Sequence, residues 1–210
     1  MKKVRFLALI TVLPLLAVSL PGCIEMAVIG AGAAVASAVD RRTTGAQVDD
    51  EGIELRATNR VNERFGDKVH VNVTSYNRSV LVTGEVPDAN AKAEIEKIIT
   101  ATQNVRSVTN DLQVAGTASL TSRASDATIT GKVKARFLDA NKFNPFHVKV
   151  VTEASVVYLM GMVTETEAAA AVEVARTTGG VRKVVKVFEY CKPTDAVCAP
   201  PKPKAEEAKK

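Results

Sequence analysis

The chain repeats itself. VHVNVTSYNRSVLVTGEV (69–86) and FHVKVVTEASVVYLMGMV (146–163) align at a constant offset of 77 residues. In this register His70 meets His147, Val71 meets Val148, Val73 meets Val150, Val80 meets Val157, Gly84 meets Gly161 and Val86 meets Val163. The match runs on through Ala91 with Ala168 and Ile95 with Val172, and after one deletion NVRSV (104–108) meets GVRKV (180–184). Upstream, Arg64-Phe65 corresponds to Arg136-Phe137, with five extra residues following in the second copy. A register kept through a glycine and into the next amphipathic stretch marks a duplication, so the body must fold as two versions of one unit.

Each copy reads as helix, strand, strand, helix, strand. In the first, Ile53, Ala57, Val61 and Phe65 recur every four residues and predict one buried helix face. Val69, Val71 and Val73 alternate as a half-buried strand does, Tyr76-Asn77 predicts a turn, and Val80, Val82 and Gly84 lie on the return strand. Pro87-Asp88 opens a second helix bearing Ala91, Ile95, Ile98 and Ile99, and Val105, Val108, Leu112 and Val114 predict the last strand. In copy two the second helix begins at Thr164 with Glu167 three residues on, a capping-box pattern. Units of roughly 65 residues have thin cores. The expected fold is therefore α+β, with two tandem αββαβ domains packed together: domain 1 at 49–114, a linker at 115–123 and domain 2 at 124–191.

The ends carry a different kind of information. Lys2, Lys3 and Arg5 precede an apolar run from Phe6 to Leu20, the layout of a secretory signal and too short for a membrane span. The run ends in Leu20-Pro21-Gly22-Cys23, which resembles the bacterial lipobox. That resemblance implies cleavage after residue 22, a diacylglycerol thioether on Cys23 and N-acylation, with palmitate as a typical chain. Ile24 in place of aspartate implies sorting to the outer membrane, facing the periplasm. Residues 23–48 are expected to form the lipidated N-terminus and a small-residue stalk, with Asp40 to Gly45 as a polar linker, and 192–210 a flexible Lys/Pro/Ala/Glu tail.

The signal also distorts the charge. The formal net charge of +5 falls to about +2 without Lys2, Lys3 and Arg5, so the basic pI does not indicate nucleic-acid binding. No HExxH, GxSxG, P-loop or GxGxxG setting is present, and no carboxylate pair stands out as acid and base. An enzyme is not expected, nor is a cofactor or a metal site. His70 and His147 share one repeat position, which points to fold geometry. Cys191 and Cys198 either close a small disulfide loop, as an oxidising compartment allows, or remain thiols on the tail.

The two copies differ in charge, about −3 for 49–114 and about +2 for 124–191. Copy two also holds Phe137, Phe143 and Phe146 close together, and its insertion NKFNP (141–145) extends a helix expected to start near Asp126. Ile129, Val133, Phe137 and Ala140 face the sheet, while Leu138 points away with Lys134 beside it and Lys132 on the flank. Leu138, Phe143 and Phe146, bordered by Lys132, Lys134 and Lys142, suit an anionic membrane surface. Filling of the core by Phe143 and Phe146 is the alternative.

Two αββαβ copies with a glycine near the end of the second strand resemble BON domains. The VxLxGxV core stands here as Val157, Leu159, Gly161 and Val163. Together with the lipobox, GAQVDD (45–50), VNVTSYN (71–77) and VKVVTEASVVYLMGMVTE (148–165), it is similar to a group of dual-BON outer-membrane lipoproteins over residues 20–191. The resemblance implies binding of anionic phospholipids such as phosphatidylglycerol through the first helix of domain 2, here Thr128 to Phe143. Relatives can carry an aromatic where this chain has Thr128. It also implies a part in outer-membrane integrity at the division site, alongside an envelope or division protein. The rival reading is a periplasmic adaptor for a protein or cell-wall partner, with lipid contact only through Cys23.

Overall fold

The computed structural model describes residues 40–116 and 119–199, so Cys23, the signal 1–22, the stalk up to Val39 and the tail beyond Ala199 lie outside the described residues. Copy one comprises α1 (Thr44–Phe65), β1 (His70–Tyr76), β2 (Ser79–Val86), α2 (Ala89–Thr100), β3 (Ser107–Asn110) and β4 (Gln113–Val114). Copy two comprises α3 (Leu120–Ala140), β5 (Lys149–Glu153), β6 (Val156–Val163), α4 (Glu165–Arg176) and β7 (Lys183–Tyr190). In each, an antiparallel hairpin is joined by a last strand parallel to its central member. Copy one splits that last strand into β3 and β4, both on β2. The fold is α+β, with one helix pair against each sheet.

The strand alternation sorts side chains onto two faces. Val80, Val82 and Val86 join Ile53, Ala57, Val61, Ile95 and Ile99 in the core of copy one. Val150, Val157, Leu159 and Val163 join Ile129, Val133, Phe137 and Ala171 in that of copy two. The opposite sheet faces meet each other: Tyr76 and Leu81 form a third apolar cluster with Tyr158 and Met160. Polar bonds frame it. Tyr158 donates to Asp111 at 2.7 Å, Lys149 pairs with Glu54 at 2.8 Å, and Glu189 accepts from Asn77 at 2.9 Å and from Arg106. Burial, then the Asp111 carboxylate, holds the Tyr158 phenol proton well above its usual range.

Both hairpins turn through two residues with positive φ, Asn77 and Arg78 in one, Ala154 and Ser155 in the other. Such a turn prefers Asn-Gly, and here a buried carboxylate compensates. Asp50 accepts the Asn77 and Arg78 N–H groups, both at 2.7 Å. Asp126 accepts those of Ala154 and Ser155 at 2.9 and 2.8 Å. Relative to the matching phenylalanines, Asp50 sits one helical turn earlier than Asp126.

Several boundaries differ from those expected. Helix α1 begins at Thr44, inside the stretch read as stalk and polar linker, because Thr43 caps it by accepting from Ala46 N–H. Helix α3 begins at Leu120, not near Asp126, with Ser119 as its cap, so Leu120 to Arg123 belong to the helix rather than the linker. The start of the tail is also ordered: Cys191 and Cys198 form a disulfide, and Cys198 is buried.

Asp40 to Thr43 are not a loose linker either. Arg42 binds Asp40 and Asp50 and lies over the Tyr76 ring at 4.3 Å. Burial and then Asp40 push the Tyr76 phenol up to about 12. Arg41 crosses to copy two, donating to Met162 carbonyl at 2.9 Å and to both oxygens of Glu167 at 2.6 and 3.0 Å. Burial alone would raise the Glu167 pKa. Hydrogen bonds from Arg41 and the Thr164 amide outweigh it and bring the carboxyl from 4.5 down to about 2. A pKa lower in the folded than in the unfolded chain gives stability that is present above pH 4.5 and lost as pH falls toward 2. Thermal melts across that window should therefore show a steeper acid loss in the native chain than in Glu167→Gln, whose curve lies lower at neutral pH and converges at acid pH.

Candidate functional site

The candidate site is the C-terminal end of α3 and the insertion after it. A stripe of Asp126, Ile129, Val133 and Phe137 buries one side of the helix. At about 100° per residue, Lys134 and Leu138 fall together on the outward side, four residues apart. The helix stops where Asn141 takes a left-handed conformation with φ 47°, which asparagine tolerates. Asn144 then accepts from Phe146 N–H at 3.0 Å and caps a short 3₁₀ turn, Pro145–His147.

Leu138 is 61% exposed and Phe146 48% exposed, and Lys132, Lys134 and Lys142 are exposed. Phe143 departs from its expected place. It is half-buried, edge-on to Phe137 with ring centroids 5.0 Å apart, and packed on the copy-two core. Of the two alternatives left open for the phenylalanines, Phe143 takes the core and Phe146 the surface. Edge-to-face packing of this kind anchors the loop. Lys132 lies about 120° around the helix from Leu138 and so does not share its face.

The exposed candidates are thus Leu138 and Lys134 on α3 and Lys142 and Phe146 after it, next to Phe143, which packs on Phe137. Arg136, which matches Arg64 of copy one, faces inward instead. It donates to Val174 carbonyl at 3.0 Å and to Thr178 at 2.8 Å, fastening α3 to α4. No helix among the described residues is long and apolar enough to cross a membrane. Sequence reasoning did not anticipate the buried Asp50 and Asp126. Their signal is an acidic residue on an otherwise apolar helix face, beside a turn lacking glycine.

The BON domain profile matches residues 49–116 and 125–192. The outer membrane lipoprotein DolP of Haemophilus influenzae is 38% identical over 174 residues, covering 81% of this chain and 90% of that protein. A 21 kDa hemolysin of Actinobacillus pleuropneumoniae is 32% identical over 154 residues, covering 72% of this chain and 79% of its own. Among solved structures, CdsD of the Chlamydia trachomatis type III secretion system aligns with 65% of this chain and 91% of its own, at 11% identity and a TM-score of 0.29. That superposition is too loose to bear on fold or site. With both copies matched and a relative of 38% identity along most of its length, the chain belongs to the BON-domain family.

Proposed function

We propose that this chain is a non-enzymatic outer-membrane lipoprotein, held by acyl chains on Cys23, whose second BON domain binds anionic phospholipid through the end of α3. The observation that carries the reading is the exposure of two apolar side chains, Leu138 at the end of α3 and Phe146 after it, in a segment that also exposes Lys134 and Lys142 and is anchored to the core by Phe143. Apolar tips gain by entering the acyl boundary, and each lysine near an anionic leaflet adds on the order of 1 kcal/mol. The name of the Haemophilus relative supports the outer-membrane and lipoprotein parts. The resemblance to dual-BON lipoproteins extends the proposal to envelope integrity at the division site.

Co-sedimentation with phosphatidylglycerol vesicles tests the lipid contact, using the unit from Asp40 onward so that acyl anchoring plays no part. Leu138→Glu combined with Phe146→Glu should reduce vesicle binding at least tenfold, a loss of about 1.4 kcal/mol or more, with an unchanged far-UV spectrum. The native unit should also bind more weakly as salt rises. Equal binding to neutral and anionic vesicles, or no effect of the double substitution, would favour an adaptor that meets lipid only through Cys23.

A further inference from the structure

The cleft between the two sheets gathers a ligand set that the repeat alone does not suggest. His70 and Glu85 are cross-strand partners on β1 and β2, on the face turned toward copy two. Glu153, the last residue of β5, reaches them from the other copy. One donor atom from each lies within 4.8 Å of the others. Glu85 is 6% exposed and Glu153 5%, with the imidazole at the half-buried mouth. The side-chain donors that reach Glu153 are neutral: Asn72 Nδ2 at 2.6 Å and Thr83 Oγ1 at 3.4 Å. Among the described residues no lysine or arginine forms an ion pair with Glu153.

Glu153, buried and met by neutral side-chain donors, loses hydration, a cost that a bound cation offsets. One imidazole nitrogen with two carboxylate oxygens is a donor set that Zn²⁺ accepts, and water can supply the fourth ligand. Zinc bonds near 2.0–2.2 Å place ligand atoms roughly 3–4 Å apart, so small rotamer changes would close the set. Asn72, donating to Glu153 at 2.6 Å, supplies the outer support that orients this carboxylate. The matching histidine of copy two has a different setting, since the carboxylate it meets, Glu167, is already paired with Arg41.

We propose that His70, Glu85 and Glu153 form a divalent-metal site, suited to Zn²⁺, that clamps the two BON domains together. This reverses the expectation that both histidines serve fold geometry alone. It stands independently of lipid binding.

The test uses the full chain, free of any tag, purified in detergent and stripped with chelator. Titration with zinc chloride should give one saturable site, and zinc at a hundredfold excess over Kd should raise Tm by about 5–10 °C, reversed by EDTA. His70→Ala and Glu153→Gln should each weaken binding at least about tenfold. Glu153→Gln keeps size and acceptor capacity, so it reports on ligation even where His70→Ala disturbs the strand. His147→Ala should bind as the native chain does. Absence of saturable binding, affinity unchanged in both ligand variants, or loss only in His147→Ala would each overturn the proposal.

Discussion

Gly161→Ala is expected to lower the melting temperature by about 8–16 °C, the shift that a loss on the order of 4 kcal/mol produces in a domain pair of this size. Gly161 has φ 155°, and a Cβ built there would stand 2.2 Å from the carbonyl oxygen of His147. That obstacle is backbone, at the end of the 3₁₀ turn that leads into β5, so no rotamer change can relieve it. The turn and the start of β5 would have to move away from β6, the central strand of its sheet. Gly84 repeats the situation at φ 118°, with the added Cβ 2.0 Å from the His70 carbonyl oxygen, and Gly84→Ala should cost as much. Gly131→Ala is the control. It lies within α3 with open space about the new atom, and should raise stability by about 0.5–1 kcal/mol. Thermal melts followed by circular dichroism decide the matter, and a Gly161→Ala melt within two degrees of native would refute the steric account.

The second large effect belongs to the carboxylates that hold the hairpin turns. Asp126→Ala is expected to destabilise the protein by about 2–4 kcal/mol. It strips the acceptor from two N–H groups and leaves Ala154 and Ser155 in left-handed conformations that cost alanine and serine roughly 1–2 kcal/mol each. The turn itself offers the cross-check. Ala154→Asn with Ser155→Gly supplies the residues that this turn favours, and should recover about 1 kcal/mol in the Asp126→Ala background. Denaturant titration separates the outcomes. If the repaired turn restores nothing, the carboxylate is acting on something other than turn geometry.

The duplication was legible because side-chain periodicity and a glycine at fixed offset survive in both copies. The meeting of the outer sheet faces was legible only as a need for more burial than one copy provides. Which residues meet was not, since Leu81, Tyr158 and Met160 sit in apolar runs (80–82 and 156–163) where both strand faces look alike. Helix starts were misplaced for a related reason: Leu120 to Arg123 are exposed or half-buried, so no apolar stripe announces the first turn of α3. At the C-terminal end of α3, the sequence separated Leu138 from the core correctly, because a helix has one period. It could not sort Phe143 from Phe146, which follow the helix in a loop where spacing says nothing about direction. The His70, Glu85 and Glu153 set joins two strands of one copy to a strand of the other, a contact that exists only after docking.

The two arginines before α1 have a mechanical meaning. Arg41 is fastened to copy two and Arg42 to copy one. A pull on the chain at Asp40 would therefore load both domains at once, as a yoke does, instead of peeling the first away from the second. Tension from a surface to which the N-terminus is fixed would reach the pair as a single body, and would have to break buried charge contacts before it could unzip either sheet.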